Sequence, residues 1–299
     1  LNIIKQTSTQ RALVLGGGGA AGNAWLIGVI AGLFDAGLDV TRADLIIGTS
    51  AGSTAAVQIT GASPAQLLAN ILSAAPPQQA TGAGNGRIPG APADHLERTN
   101  RIISTAENAA DMRRKMGAVA LEMNGASDAA VQRQWRATVA ARLPGQHWPQ
   151  KQILIPAVNA RTGEPLVFDR HSGVDLADAV AASCAGGFAY TIGNEQYFDG
   201  GYRADVNADL AAGYERVLII PPFGDKTRKP LEWGLHVVAQ TAELRAAGSR
   251  VETIFPDSDA QKVMGLGMNR MDLSTRRPSA QAGYNQGKAL AGQLAEFWR

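Results

Sequence analysis

Cysteine is almost missing from this chain of 299 residues: Cys184 stands alone, which rules out an intrachain disulfide framework and cysteine-based zinc sites. A reducing, cytoplasmic setting is therefore expected, with Cys184 a small packed residue rather than a nucleophile. Net charge is also nearly missing. Against 28 Lys and Arg stand 26 Asp and Glu, a balance of +2, too small to argue for nucleic acid as a partner. No apolar run approaches the roughly 18 residues that cross a bilayer, and residues 1–6 lack the apolar centre of a signal peptide. The chain opens on Leu rather than Met, which leaves open a leader removed ahead of it. Apolar residues are plentiful, at 45%, enough for one large core or two modest ones.

The most informative stretch is Leu45-Ile46-Ile47 followed by Gly48-Thr49-Ser50-Ala51-Gly52, a buried strand running into a G-x-S-x-G turn with a helix behind it. A serine hydroxyl is a poor nucleophile. It needs a turn that exposes Oγ, a base for its proton and N–H donors for the oxyanion. Gly48 and Gly52 permit close backbone approach at such a turn, and the helix that follows points its positive end at Ser50. Upstream, Arg11–Leu15 reads as a buried strand, and Gly16–Gly22 supplies consecutive N–H groups unobstructed by side chains, an anion nest. Leu26, Val29, Ile30 and Leu33 then recur at helical spacing, with Gly37 as a helix stop. Strand, nest, helix, strand and elbow make a parallel β-α-β unit with both loops at the carboxyl ends of the strands, where open α/β sheets place their sites. Gly17-Gly18-Gly19-Ala20-Ala21-Gly22 also satisfies the dinucleotide pattern G-x-G-x-x-G. That reading requires an acidic residue closing the second strand, and here Asp44 precedes it.

Further along, Ala51–Thr60 and the helix capped by Ser63-Pro64 give way at Pro76–Pro92 to Gly, Pro, Ala and Gln, a composition suited to a flexible loop or linker. Asp94–Met123 and Ser127–Leu143 are expected to be helical, and the region from about 76 to 145 reads as an insertion. It is either a cap over the site or an extra helical layer. Arg113-Arg114-Lys115 is either a contact for anionic lipid heads or a solvated face. Gln152–Val158 and Pro165–Phe168 form an expected hairpin through Arg161–Glu164, and Asp175–Ser183 a helix. The short strand Gln196–Phe198 ends in Asp199-Gly200-Gly201, a carboxylate that can enter a site without crowding it. A strand at Arg216–Pro221, a helix over Leu231–Ala247 containing His236, a strand at Arg250–Phe255 and a C-terminal helix complete one α/β domain spanning residues 1–299.

Three motifs in this order, Gly16–Gly22, Gly48–Gly52 and Asp199-Gly200-Gly201, make the sequence similar to the patatin-like phospholipases. Asn159–Glu164 and Asn207–Leu210 echo the same family, so the likeness runs from about residue 11 to 221 outside the insertion. It implies a three-layer α/β/α fold with a mainly parallel sheet. It also implies Ser50 as nucleophile, Asp199 as base, and the N–H groups of Gly17, Gly18 and Gly19 as the oxyanion hole, supported by Gly48, Gly52, Gly200 and Gly201. Two features depart from the family: Ala21 stands where many relatives carry Arg or Lys, and Ala185-Gly186-Gly187-Phe188 replaces a proline-containing loop, a change expected to alter the acyl pocket.

The expected activity is hydrolysis of carboxylic esters of lipids or small molecules by a Ser-Asp dyad, without metal or organic cofactor and with peripheral membrane contact. A Ser-Asp-His triad needs a histidine late in the chain. His95, His147 and His171 precede Asp199, and His236 reads as structural. Two other classes stay open: a catalytically silent lipid-binding effector or scaffold, and a nucleotide-binding protein using the glycine loop.

Overall fold

The computed structural model describes residues 10–75, 92–123, 128–265 and 271–299. The stretch read as a flexible loop or linker lies almost wholly at 76–91, outside the described residues. The chain builds a sheet in the order β5-β6-β3-β2-β1-β7-β8, with β4 paired to β3. Its strands are β1 (Arg11–Leu15), β2 (Leu45–Gly48), β3 (Gln152–Asn159), β4 (Pro165–Phe168), β5 (Tyr190–Ile192), β6 (Glu195–Asp199), β7 (Arg216–Ile220) and β8 (Arg250–Thr253). β3, β2, β1, β7 and β8 are parallel, whereas β4, β5 and β6 join antiparallel.

The central strands are apolar on both faces, as a sheet covered on both sides requires. Leu13, Leu15, Ile46, Leu218 and Ile220 point into one core. It is shared with helices α1 (Gly19–Asp35), α2 (Ala51–Gly61) and α3 (Pro64–Ser73) and with the C-terminal helix α10 (Arg276–Trp298). Ala12, Val14, Leu45, Ile47, Val217 and Ile219 point into the other, with Val206, Ala208, Ala211 and helix α8 (Val237–Ala246). The alternation of period two thus sorts the strands into the middle of a three-layer α/β/α fold. Each fully buried Leu or Ile here contributes about 2 kcal/mol from removal of apolar surface from water.

Helices α4 (Pro92–Thr105), α5 (Ala109–Glu122) and α6 (Ala129–Ala140) occupy the inserted region. Asp94–Met123 is therefore two helices and not one: Asn108 caps α5 by accepting from the Asp111 N–H at 2.9 Å, while Asp111 accepts from the Glu107 N–H. This reciprocal cap ends one helix and starts the next. α5 lies so close to the Asn159–Ala160 backbone that a Cβ at Gly117 would stand 2.2 Å from the Ala160 carbonyl. α6 is tied to α7 (Leu176–Ser183) and to β5 through Trp135 Nε1 to Ala181 O, Arg136 to Asp178, and Gln132 to Ala189 O and Thr191 N. The Leu231–Ala247 reading also changes, because only a single 3-10 turn forms at Leu231–Trp233. Gly234 then takes φ 67°, outside the helical region, and α8 starts at Val237 with His236 as its N-cap residue. Helix α9 (Ser258–Met264) precedes α10. Among the described residues no helix is long and apolar enough to cross a membrane.

Candidate active site

β2 ends at Gly48, and the chain turns at once into α2. Ser50 sits at the apex with φ 52° and ψ −119°, one of two residues other than glycine with positive φ among the described residues. Such a conformation costs a β-carbon-bearing residue about 1–3 kcal/mol and persists only where its surroundings enforce it. Here they do. Thr49 N–H donates to Leu15 O at 3.0 Å, Ser50 N–H donates to the buried Ser183 Oγ at 3.0 Å, and Ser53 Oγ donates to Ser50 O at 2.6 Å. Gly52 is obligatory, since a Cβ there would lie 2.0 Å from Leu15 O.

Strand register brings the carboxylate to the serine. In β3, Leu154 is opposite Ile47 of β2, and Ala157, three residues further on, is opposite Asp199 of the antiparallel β6. β6 therefore comes in from beyond the carboxyl end of β2 and stops at the height of the elbow. The Ser50 hydroxyl is close enough to the Asp199 carboxylate to draw its pKa down. Gly201 N–H donates to Asp199 Oδ1 at 2.7 Å, and Gly186 faces Oδ2. Burial is the largest influence on this acid and pushes its pKa up to about 6, against the opposing pull of the Gly201 and Ser50 hydrogen bonds and of the Lys229 charge. A carboxyl in that range is basic enough to accept a proton and still ionised near neutral pH.

The glycine loop lies on the other side of Ser50. A Cβ on Gly17 would be 3.4 Å from Ser50 Cβ and 3.9 Å from Oγ, so the absence of a side chain leaves the space in front of the hydroxyl open. No hydrogen bond from the N–H of Gly17 or Gly18 occurs among the described residues. Gly19, with φ 63°, opens α1, where first-turn N–H groups have no partner within the helix. Ser50, Asp199 and Gly17 are thus gathered in one place, with Gly18 and Gly19 continuing the loop into α1.

Three of the histidines stand away from this pair. His171 is exposed in a turn, with its N–H bonded to Asp169, His147 is exposed, and His236 caps α8. His95 lies in α4. Of His147, His171 and His236, none contributes to the protonation balance of Asp199. Asp44, the acid considered for a dinucleotide, receives the Arg11 N–H at 2.8 Å, at the amino ends of the strands and opposite the glycine loop. Cys184 Sγ is in contact with Ser53 and Thr54, and burial, foremost, pushes its thiol up to about 11, unsuited to nucleophilic work. Arg113 donates to Gly163 O, while Arg114 and Lys115 pair with Asp111.

Four residues of this region lie outside the glycine loop, the elbow and the Asp-Gly-Gly turn. Asn207, fully buried at φ 58°, donates from Nδ2 to Thr49 Oγ1 at 2.9 Å, Gly200 O at 3.1 Å and Ala204 O at 3.2 Å. It joins the turn bearing Ser50 to the turn bearing Asp199. Lys229 Nζ donates to Gly201 O at 2.7 Å and pairs with Asp205. Ser183 supports the elbow, and Asn23 Nδ2 reaches Ala51 O. Only Asn207 was flagged in sequence, as part of a family echo.

An apolar cavity adjoins Gly186 and is walled by Met116, Val119 and Met123 of the inserted region and by Phe198 and Tyr202. Its water-accessible space is about 20 Å³, room for roughly one water molecule.

A family model described as patatin-like phospholipase matches residues 13–212. The chain belongs to this family. The matched stretch spans Gly16–Gly22, Gly48–Gly52 and Asp199-Gly200-Gly201, and it ends before α8, β8, α9 and α10. Among solved structures, VipD from Legionella pneumophila is similar at 12% identity and a TM-score of 0.45, covering 95% of this chain and 67% of that one. The type III effector protein ExoU is similar at 15% identity and a TM-score of 0.33, covering 94% and 54%. A comparison with curated proteins gives no match.

Proposed function

We propose that this patatin-like protein is a serine acyl-ester hydrolase acting on lipid esters through Ser50 and Asp199. One observation carries the reading: Ser50, at the apex of the elbow, adjoins a carboxylate that burial has made unusually basic. In the first half-reaction Ser50 Oγ attacks the ester carbonyl while Asp199 takes the hydroxyl proton, and the carbonyl oxygen gains charge facing Gly17, Gly18 and Gly19. Collapse of the tetrahedral intermediate breaks the bond to the alcohol, which leaves with the proton from Asp199. Water then attacks the acyl-serine, gives its proton to Asp199, and the acid is released as Ser50 is restored.

The region from about 76 to 145 belongs, in this reading, to the same domain, and its helices wall the acyl-chain side of the site. Support comes from the cavity beside Asp199, whose lining is shared between α5 and β6. The deciding experiment is labelling by a fluorophosphonate together with turnover of a panel of esters and phospholipids. Ser50→Ala should lose both while keeping its fold. Single replacement of His147, His171 or His236 should leave most activity in place, whereas a folded histidine variant at background activity would overturn the dyad.

A further inference from the structure

Among the described residues, two guanidinium groups near this site have no carboxylate partner. Arg276, the first residue of α10, donates from Nη1 to Ala20 O at 3.3 Å and to Asn23 Oδ1 at 3.2 Å. Arg142, just after α6, lies over the Trp135 ring, 5.9 Å from Cζ to the centroid. Neither has an ion pair among the described residues, whereas Arg136 pairs with Asp175 and Asp178, and Arg203 with Asp209. The two arginines also repel each other: burial first, and then the charge of Arg142, hold Arg276 below its ordinary pKa. Like charges gathered without a counter-charge raise the free energy of the empty site, and an anion between them removes that cost.

Their position is built by the fold. α1 and α10 run side by side in the same direction, with Arg276 at Ala20 and Asn23, Ala280 at Gly28, and Lys288 at Asp35. The helices touch backbone to backbone, since a Cβ on Gly28 would fall 2.1 Å from Ala280 O. Arg276 is thereby fixed beside the first turn of α1, directly after the glycine loop. Asn23 connects it to the elbow: Oδ1 accepts from Arg276, while Nδ2 donates to Ala51 O at 3.4 Å and to Gln58 Oε1 at 3.0 Å. Gln58 in turn donates to Arg142 O at 3.1 Å. The Arg276 bonds engage only Nη1, leaving the remaining edge of its fork free to meet two oxygens of one anion.

We propose that Arg142 and Arg276 form a phosphate-binding subsite beside Ser50, which takes the phosphate group of a substrate whose acyl ester lies at the elbow. It rests on the hydrolase reading for the ester alone, because the anion site stands on the two guanidinium groups. Both residues fall outside the glycine loop, elbow and Asp-Gly-Gly motifs, and Arg276 falls outside the matched family region.

The test is a titration of the full chain, followed by Trp fluorescence and calorimetry, with three probes: inorganic phosphate, a short-chain ether-linked glycerophosphocholine below its micelle concentration, and the ether-linked glycerol with the same chains. None is hydrolysed as an ester, so the outcome does not depend on turnover. The phosphocholine should bind at least roughly tenfold tighter than the uncharged lipid, the scale of a lost charge-assisted hydrogen bond, and Arg276→Gln with Arg142→Gln should erase that preference. Arg276→Lys should retain part of it. Arg142→Gln alters an exposed side chain, so it tests the site even if Arg276→Gln fails to fold. Binding of inorganic phosphate that the double variant loses, with no preference between the lipids, would support the anion site and assign it to a free phosphate source. Equal lipid affinities together with no arginine-dependent phosphate binding would overturn the proposal, while leaving ester hydrolysis by Ser50 to stand or fall on its own assay.

Discussion

Replacing Asp199 with Asn should cut turnover sharply and yet make the protein more stable. The carboxyl is pushed from 3.8 to about 6, chiefly by burial, and a displacement of that size corresponds to about 3 kcal/mol against the folded state once the group is ionised in both states. The native hydrogen bonds from Gly201 and Ser50 already act within that balance. Asn keeps an oxygen to accept from Gly201 N–H while removing the charge, so a gain of about 1–3 kcal/mol is expected at pH about 8. Its pH dependence is specific. Between about pH 4 and 6 the native state holds a proton that the unfolded chain has lost, so the contribution of Asp199 to stability falls as pH rises through this window. The advantage of the Asn variant should accordingly shrink to about 1 kcal/mol at pH about 4.5 and vanish in stronger acid. Urea unfolding of both proteins across this range measures it, and ester turnover in the same samples should fall by about two or more orders of magnitude. An Asn variant less stable than the parent at pH about 8, or a difference that does not change with pH, would refute a desolvated base at this position.

Lys229→Met removes a positive charge that holds the Asp199 pKa down, so the acid limb of kcat/KM, expected near pH about 6, should move to higher pH; an unmoved limb would separate Lys229 from the base. Asn207→Asp keeps the shape and tolerance of positive φ but points an oxygen at Thr49 Oγ1, Gly200 O and Ala204 O. It should destabilise by about 3 kcal/mol and lower kcat, as measured by urea unfolding and steady-state turnover. Val119→Trp fills the cavity wall beside Gly186, and should depress kcat/KM on long-chain esters roughly tenfold more than on acetate esters; an equal effect on both would place the acyl chain elsewhere.

The parts of the site that were legible in sequence are those that a local pattern encodes. Leu45–Gly48 and the elbow occupy eight consecutive residues, and the glycine loop follows a strand whose four buried positions are all apolar. The hairpin β3-β4 was likewise announced by its turn, where Gly163 takes φ 75°. Helix boundaries were lost where the deciding feature was a single residue: Gly234 breaks the run before α8, and Asn108 with Asp111 divides α4 from α5. The second of these had a readable signal in the reciprocal cap. Ser183, Lys229 and Arg276 had none, because each reaches the site through topology. Ser183 is 133 residues from Ser50, and Arg276 is 256 from Ala20.

The supporting residues explain how the fold retains two features that each weaken it. A positive φ at Ser50 and a desolvated carboxylate at Asp199 are both unfavourable locally, and neither is offset by its own motif. Relief comes from a second set of groups: Ser183 holds the Ser50 N–H, Lys229 faces the carboxylate while bonding Gly201 O, and Asn207 ties Thr49 to Gly200. Asn207 itself adopts positive φ, which Asn tolerates better than most residues. The three bonds from its amide then make the positions of nucleophile and base interdependent. A loosened Asp199 turn would disturb the Ser50 turn through Thr49, and the converse also holds. This coupling predicts that the defect of Asn207→Asp will be less than additive with that of Ser183→Ala in a double-mutant cycle, because either change releases the same strained elbow.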